Sequence, residues 1–203
     1  MTGSVDVPLT DRGREQGHEL KRRVGDIAVF TAPNARSRET GAIISPGAQS
    51  VDWLKPWALG AFEGRELDEA RAAINRLITD TPDKSPGVSK YSGKPGDTFN
   101  EVSRRLVGGV VAQRNDMSPG ARVLNITSGR ALHIIHAAAV TGFKGISVDE
   151  LQKRHFSKPG DLFLLTSDYG LVKISANAIG RNRGQYFAQH GETSWNEGKA
   201  ASE

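Results

Sequence analysis

The sequence predicts an α/β fold, a three-layer α/β/α sandwich with a mainly parallel central sheet and an antiparallel edge. Three observations carry this. Strand and helix patterns alternate from Asp26 to Val140, an order that gives parallel strands joined by crossover helices. The strand patterns Asp26–Thr31 and Ala121–Thr127 (DIAVFT, ARVLNIT) are apolar runs rather than alternations, as expected for strands covered on both faces. Asp161–Thr166 and Leu171–Ser175 flank a Ser-Asp-Tyr-Gly turn and read as a hairpin that adds the antiparallel edge.

The elements follow in order. Leu9-Thr10-Asp11 opens a helix through Arg23, with Thr10 as N-cap and Asp11 set against the helix dipole. After the strand ending at Thr31, Arg36–Ile44 reads as a helix and Gln49–Trp53 as a short strand. Glu66–Thr79 is amphipathic, with Leu67, Ala70, Ile74 and Leu77 on one helical face. The segment from Thr81 to Asp97 is rich in Pro, Gly and Lys and long enough to be a lid or binding segment; Lys84, Lys90, Lys94 and Tyr91 in it could draw in an anion, with a mobile solvated loop as the equal alternative. Asp97-Thr98 starts a helix to about Arg114. The strand Ala121–Thr127 then turns at Ser128-Gly129 into the helix Arg130–Val140. Beyond the hairpin, Asn177–Gly184 (NAIGRNRG) reads as a linker, and Gln185–Gln189 as a strand entering the turn His190–Thr193.

At 203 residues the chain is expected to form a single domain over 1–203. Its 27 Lys plus Arg against 23 Asp plus Glu, a net charge of +4, suits an anionic small molecule and does not call for a nucleic-acid partner. The absence of cysteine excludes disulfides, thiolate metal sites and a cysteine nucleophile. No apolar run reaches membrane-spanning length, and the start lacks the pattern of a signal peptide; a soluble, cytoplasmic protein without membrane partners is expected. His133 and His136 lie three apart on one helix, but no carboxylate or Cys completes a ligand set, so neither a metal nor a cofactor is expected. Trp53 and Trp57 read as core or pocket-wall residues.

Sites in such folds lie at the carboxyl ends of strands. That rule brings together His190-Gly191, Arg36 and Ser128-Gly129, three segments distant in the chain. Tyr186–Asn196 reads YFAQHGETSWN, which closely resembles the signature of the histidine phosphatase superfamily, the phosphoglycerate-mutase-like fold: a strand, then Arg-His-Gly-Glu-Thr-x-Trp-Asn. Asp6–Gly13 with Gln16 is similar to the family's D-x-P-L-T-x-x-G-x-x-Q. Pro33–Thr40 resembles P-L-x-R-A-x-x-T, Gly60–Gly64 resembles G-x-W-E-G, and Pro95–Thr98 resembles the G-E-S segment. In the family, however, the His-Gly-Glu-Thr strand precedes D-x-P-L-T, whereas here it follows. Joining Glu203 to Thr2 restores the family's spacing. The resemblance therefore implies a circular permutant in which residues 177–184 bridge the family's usual termini, the His190 strand sits centrally, and the chain ends lie together near the pocket rim.

The resemblance implies a phosphatase in which His190 attacks phosphorus to give a phosphohistidine. An imidazole nitrogen suits this because it is nucleophilic near neutral pH. Arg36 matches the family's phosphate-binding arginine, whose planar fork meets phosphate oxygens in pairs. Gly191, Thr193, Asn196, Gly129 and Arg130 are the expected further contacts to a small phosphorylated substrate or inorganic phosphate. Three positions depart from the pattern. Gln189 replaces the arginine before the nucleophile, Ser128 replaces the second histidine, and Pro56 stands where mutases of the family carry a glutamate proton donor. Glu63 is the candidate acid in their place, with a structural role as the alternative. Arg130 and Arg38 are candidates to restore the lost charge, against a solvated helix surface for each. The alternative function is a phosphate-binding or interaction protein on the same scaffold whose catalysis has faded.

Overall fold

The structure, a computed structural model, describes residues 5–152, 157–165, 171–173 and 184–189. Helix α1 (Asp11–Val24) begins as expected: Thr10 Oγ1 accepts from the Gly13 N–H at 2.9 Å, Asp11 lies in the first turn, and Lys21, Arg22 and Arg23 lie in the last. Strand β1 (Ala28–Thr31), helix α2 (Ala35–Ile44), strand β2 (Gln49–Ser50), and helices α3 (Leu67–Thr79) and α4 (Phe99–Asp116) follow. Then come β3 (Arg122–Thr127), α5 (Gly129–Ala139), α6 (Val148–Gln152), β4 (Leu162–Leu165), β5 (Leu171–Lys173) and β6 (Gly184–Gln189).

Among the described residues the strands form one six-stranded sheet in the order β2-β1-β3-β6-β4-β5. The pairs β1·β2, β1·β3 and β3·β6 are parallel, and β4 is antiparallel to both β6 and β5. The last of the described strands thus lies in the middle of the sheet, in register with β3 from Arg122↔Gly184 to Thr127↔Gln189. Alternate residues of the strands enter different cores. Phe163, Leu165 and Phe187 pack with Ile74, Leu106 and Ile135 of α3, α4 and α5, whereas Leu162, Leu164, Tyr186 and Ala188 pack with Leu20, Val24 and Ile44 of α1 and α2. A period of two with both faces buried is the signature of a sheet between two helical layers.

Several boundaries differ from the sequence expectation. The first strand starts at Ala28 rather than Asp26. The strand expected over Gln49–Trp53 ends at Ser50, and Asp52–Leu54 is a 3₁₀ turn instead. The turn lets Trp53 lie flat on α4, so closely that a Cβ at Gly109 would overlap its ring. Helix α4 runs two residues further than expected and starts from a capping box, with Glu101 N–H donating to Thr98 Oγ1 and Thr98 N–H to Glu101 Oε2 at 2.8 Å. Donation from Thr98, its backbone N–H first, favours the ionised carboxyl and holds Glu101 below its usual pKa. Strand β6 starts at Gly184, the residue expected to close the linker. The rest of that linker, the hairpin turn and the chain ends lie outside the described residues.

The Thr81–Asp97 segment is tied down along its length. Ser89 N–H donates to Lys94 O, Gly96 N–H to Gly87 O, and Asp97 N–H to Ala58 O, while Val88 bridges Pro95. Its lysines are exposed, and Tyr91 is half-exposed with Lys90 Nζ 5.1 Å from its ring centroid. Trp57 is a core residue, 1% exposed, with Nε1–H donating to Asp97 O at 2.8 Å.

His133 is buried, and its Nε2 lies 2.6 Å from the Glu150 carbonyl, joining α5 to α6. Burial pushes its pKa down to about 4; the Glu150 carbonyl opposes this, and the charges of Arg130 and His136 add to it. With a folded pKa below the unfolded value near 6.5, the unfolded chain takes the proton first as pH falls. Stability from this group is therefore complete above pH ~6.5, is lost progressively toward pH ~4, and amounts to about 3 kcal/mol. His133→Gln keeps a donor for the carbonyl and removes the titration. Urea unfolding at pH 7 and pH 4 is expected to show a loss about 3 kcal/mol smaller in the variant than in the wild type.

Candidate active site

The carboxyl ends of β1, β3 and β6 lie side by side, with Thr31 opposite Ile126 and Thr127 opposite Gln189. Each leads straight into an expected site segment: Pro33–Arg36 after β1, Ser128–Arg130 after β3, and His190 after β6. The stretch before Pro56 is tied to the same edge, because Thr127 Oγ1 donates to Leu54 O at 2.6 Å. Pro56 is buried, and Arg105 donates to the carbonyl of Lys55 at 3.0 Å.

Arg36 is the most buried cation of the site, 1% exposed, with Nη1–H donating to Val5 O at 2.8 Å. Burial lowers its pKa, while the negative charges of Asp6 and Glu63 act to keep it protonated. Asp6 has a second task. Its Oδ1 accepts from the Ala35 N–H at 2.7 Å and so caps the helix that carries Arg36. Asn34, the formal N-cap, makes no such bond.

Glu63 is 1% exposed and accepts from Ser89 Oγ at 2.6 Å. Ser89 Oγ in turn accepts from the N–H groups of Tyr91 and Ser92 at 3.2 and 3.3 Å. The carboxylate thus anchors the Thr81–Asp97 segment while facing Arg36 electrostatically.

Ser128 caps α5, its Oγ accepting from the Ala131 N–H at 3.3 Å, which leaves the hydroxyl hydrogen to donate. The first N–H groups of α5 have no partner within the helix and suit an anion. Gly129 has no room for a side chain: a Cβ would lie 2.7 Å from Gln189 Oε1 and 3.1 Å from Ser157 Oγ. Gln189 itself is half-buried and accepts from Ser157 Oγ at 2.8 Å.

Arg38 is exposed, as the solvated reading expects, but Arg130 is half-buried and has no hydrogen-bond or ion-pair partner among the described residues. Burial and then the charge of Arg71 lower its pKa, so a solvated helix surface does not describe it. His190, Gly191, Thr193 and Asn196 lie outside the described residues. Sequence reading missed Ser89 and Ser157, because a serine that bonds across 26 or 32 residues leaves no local pattern. Among the described residues no group of three or more His, Asp or Glu could hold a metal, and no helix is long and apolar enough to cross a membrane.

Strand ends, a buried guanidinium and a helix N-terminus thus stand together at one edge of an α/β sheet, groups of the kind that suit an anion. The chain belongs to the histidine phosphatase superfamily (branch 1), whose family model matches residues 1–175. Among solved structures it resembles phosphoglycerate mutase from Thermus thermophilus, with TM-score 0.59 and 18% identity over 86% of this chain and 88% of that one. It also resembles the alpha-ribazole phosphatase from Shigella flexneri, with TM-score 0.61 and 17% identity over 90% and 91% of the two chains. At such identity the likeness is one of fold. No curated protein matches the chain.

Proposed function

We propose that the protein is a phosphomonoesterase that hydrolyses a small phosphorylated substrate through a phosphohistidine on His190. The observation that carries this reading is the place of β6: it ends at Gln189, immediately before His190, in the centre of the sheet and level with Thr127. The Ser128 turn and the α5 N-terminus lie beside that edge. In the proposed reaction an imidazole nitrogen of His190 bonds to phosphorus as the P–O bond to the leaving group breaks. Water then attacks the phosphohistidine and releases inorganic phosphate and the imidazole. Arg36, the Ser128 hydroxyl, the Gln189 amide and the N–H groups of Gly129 and Arg130 stabilise charge on the phosphoryl oxygens, and Gly191, Thr193 and Asn196 complete the contacts. Glu63 is the candidate acid for the leaving group.

The same reading includes a circular permutation. Two observations support it: a strand from the end of the chain fills the middle of the sheet, and the family match at residues 1–175 stops before the Tyr186–Asn196 segment. A second reading, a phosphate-binding protein with faded catalysis, is favoured by the neutral Gln189, by Pro56, and by the engagement of Glu63 with Ser89. Turnover of an aryl phosphate tests the first reading, because a good leaving group needs little acid help. Steady release of phenol, inhibited competitively by inorganic phosphate, is expected. Phosphate binding without any turnover gives the second reading.

A further inference from the structure

We propose that Ser157 is a positioning residue for the anion site: its hydroxyl fixes the Gln189 carboxamide so that N–H donors, in place of a cation, face the phosphoryl group. This rests on the phosphomonoester reading above. A carboxamide has an acceptor end and a donor end. With free rotation it would present oxygen to a phosphate oxygen as readily as N–H, and the first arrangement is repulsive. An arginine at 189 has donors only and needs no such control, so the substitution to Gln creates the need for an orienting partner.

The structure contains that partner. Ser157 Oγ donates to Gln189 Oε1 at 2.8 Å, and Nε2 has no partner among the described residues. A serine hydroxyl can donate or accept, so it does not by itself choose the end of the carboxamide. The positive end of α5 sets oxygen rather than nitrogen at this spot, since Oε1 lies 2.7 Å from where a Cβ of Gly129 would stand, and Ser157 then holds the carboxamide in that orientation by donating to it. The turn carrying Ser157 is built to stay in place. Gly160 N–H donates to Gln189 O and Gln189 N–H to Asp161 O, both at 3.3 Å, so the same turn grips residue 189 by its backbone. Asp161 closes the turn by accepting from Lys158 N–H at 2.9 Å and pairs with Lys173 Nζ at 2.7 Å. Backbone and side chain of Gln189 are thus held from one segment, across the end of the central strand.

Inorganic phosphate binding, measured by calorimetry, tests the proposal in a double-mutant cycle. Ser157→Ala is expected to weaken phosphate binding about three- to tenfold, the worth of one neutral hydrogen bond. Ser157→Thr is expected to restore it. In a Gln189→Leu background, Ser157→Ala is expected to cost nothing further, a result that a merely structural serine would not give. Ser157→Cys, close in size but a weak donor, supplies the same test should the alanine variant unfold. Unchanged binding in the folded Ser157 variants, or an equal loss with and without Gln189, overturns the proposal and leaves the phosphate reading standing. Wild type that binds no phosphate overturns both.

Discussion

Incubated with an activated phosphomonoester, the protein is expected to carry phosphorus on His190 in an adduct stable to base and labile to acid, and His190→Ala is expected to abolish it. Loss of the nucleophile should lower turnover by roughly 10³-fold or more, since an enzyme that loses its attacking group keeps only binding and electrostatic stabilisation. Two features of the fold support an effect of this size. His190 follows the last residue of a strand held on both sides, by β3 and β4, so the backbone that delivers it is fixed. Arg36, the proposed phosphate contact, carries a guanidinium at 1% exposure, where low local polarity would strengthen its action on phosphoryl charge. Mass spectrometry of the acid-labile adduct, with phosphate release on the same samples, checks both parts. An adduct that persists in His190→Ala would move the nucleophile elsewhere.

The parts of the fold that could be read from the sequence are those with local causes. Thr10 and Thr98 announce their helices because a cap needs only its own first turn. The β3 run announces a central strand because both of its faces are covered. The missed parts depend on distant neighbours. Gln49–Trp53 has the composition of a strand, yet Trp53 leaves the sheet to lie on Gly109, more than fifty residues away in the chain. The Thr81–Asp97 segment has the composition of a lid or binding segment, and the bond that ties it through Ser89 to Glu63 leaves no trace in that composition. The site divides in the same way. Arg36 and Ser128 could be found from motifs, while the half-burial of Arg130 beside Arg71 and the hold of Ser157 on Gln189 arise only when α3, α5, β6 and the turn before β4 meet.

Restoring the family's groups separates a weakened enzyme from a binder. Gln189→Arg returns a charge-assisted contact to the phosphoryl oxygens, and in a working enzyme turnover is expected to rise by roughly 10²–10³-fold, the size of a contribution made to charge that develops in the transition state. The surroundings permit the change. Gly129 presents no side chain to residue 189, and the Ser157 hydroxyl that now donates to Oε1 can turn to accept from a guanidinium. Ser128→His returns the second imidazole, but it also removes the hydroxyl that caps α5, at about 1 kcal/mol of stability. Thermal melts must therefore accompany the kinetics of this variant and of the double substitution. A protein whose pocket retains the nucleophile and Arg36 should gain most from Gln189→Arg alone, because Arg36 then acts with a second cation on the same oxygens. A binder gains affinity for phosphate from the added charge and no turnover. If the wild type forms no adduct, and the folded double variant binds phosphate more tightly yet releases no product, the phosphomonoesterase reading yields to the binding one.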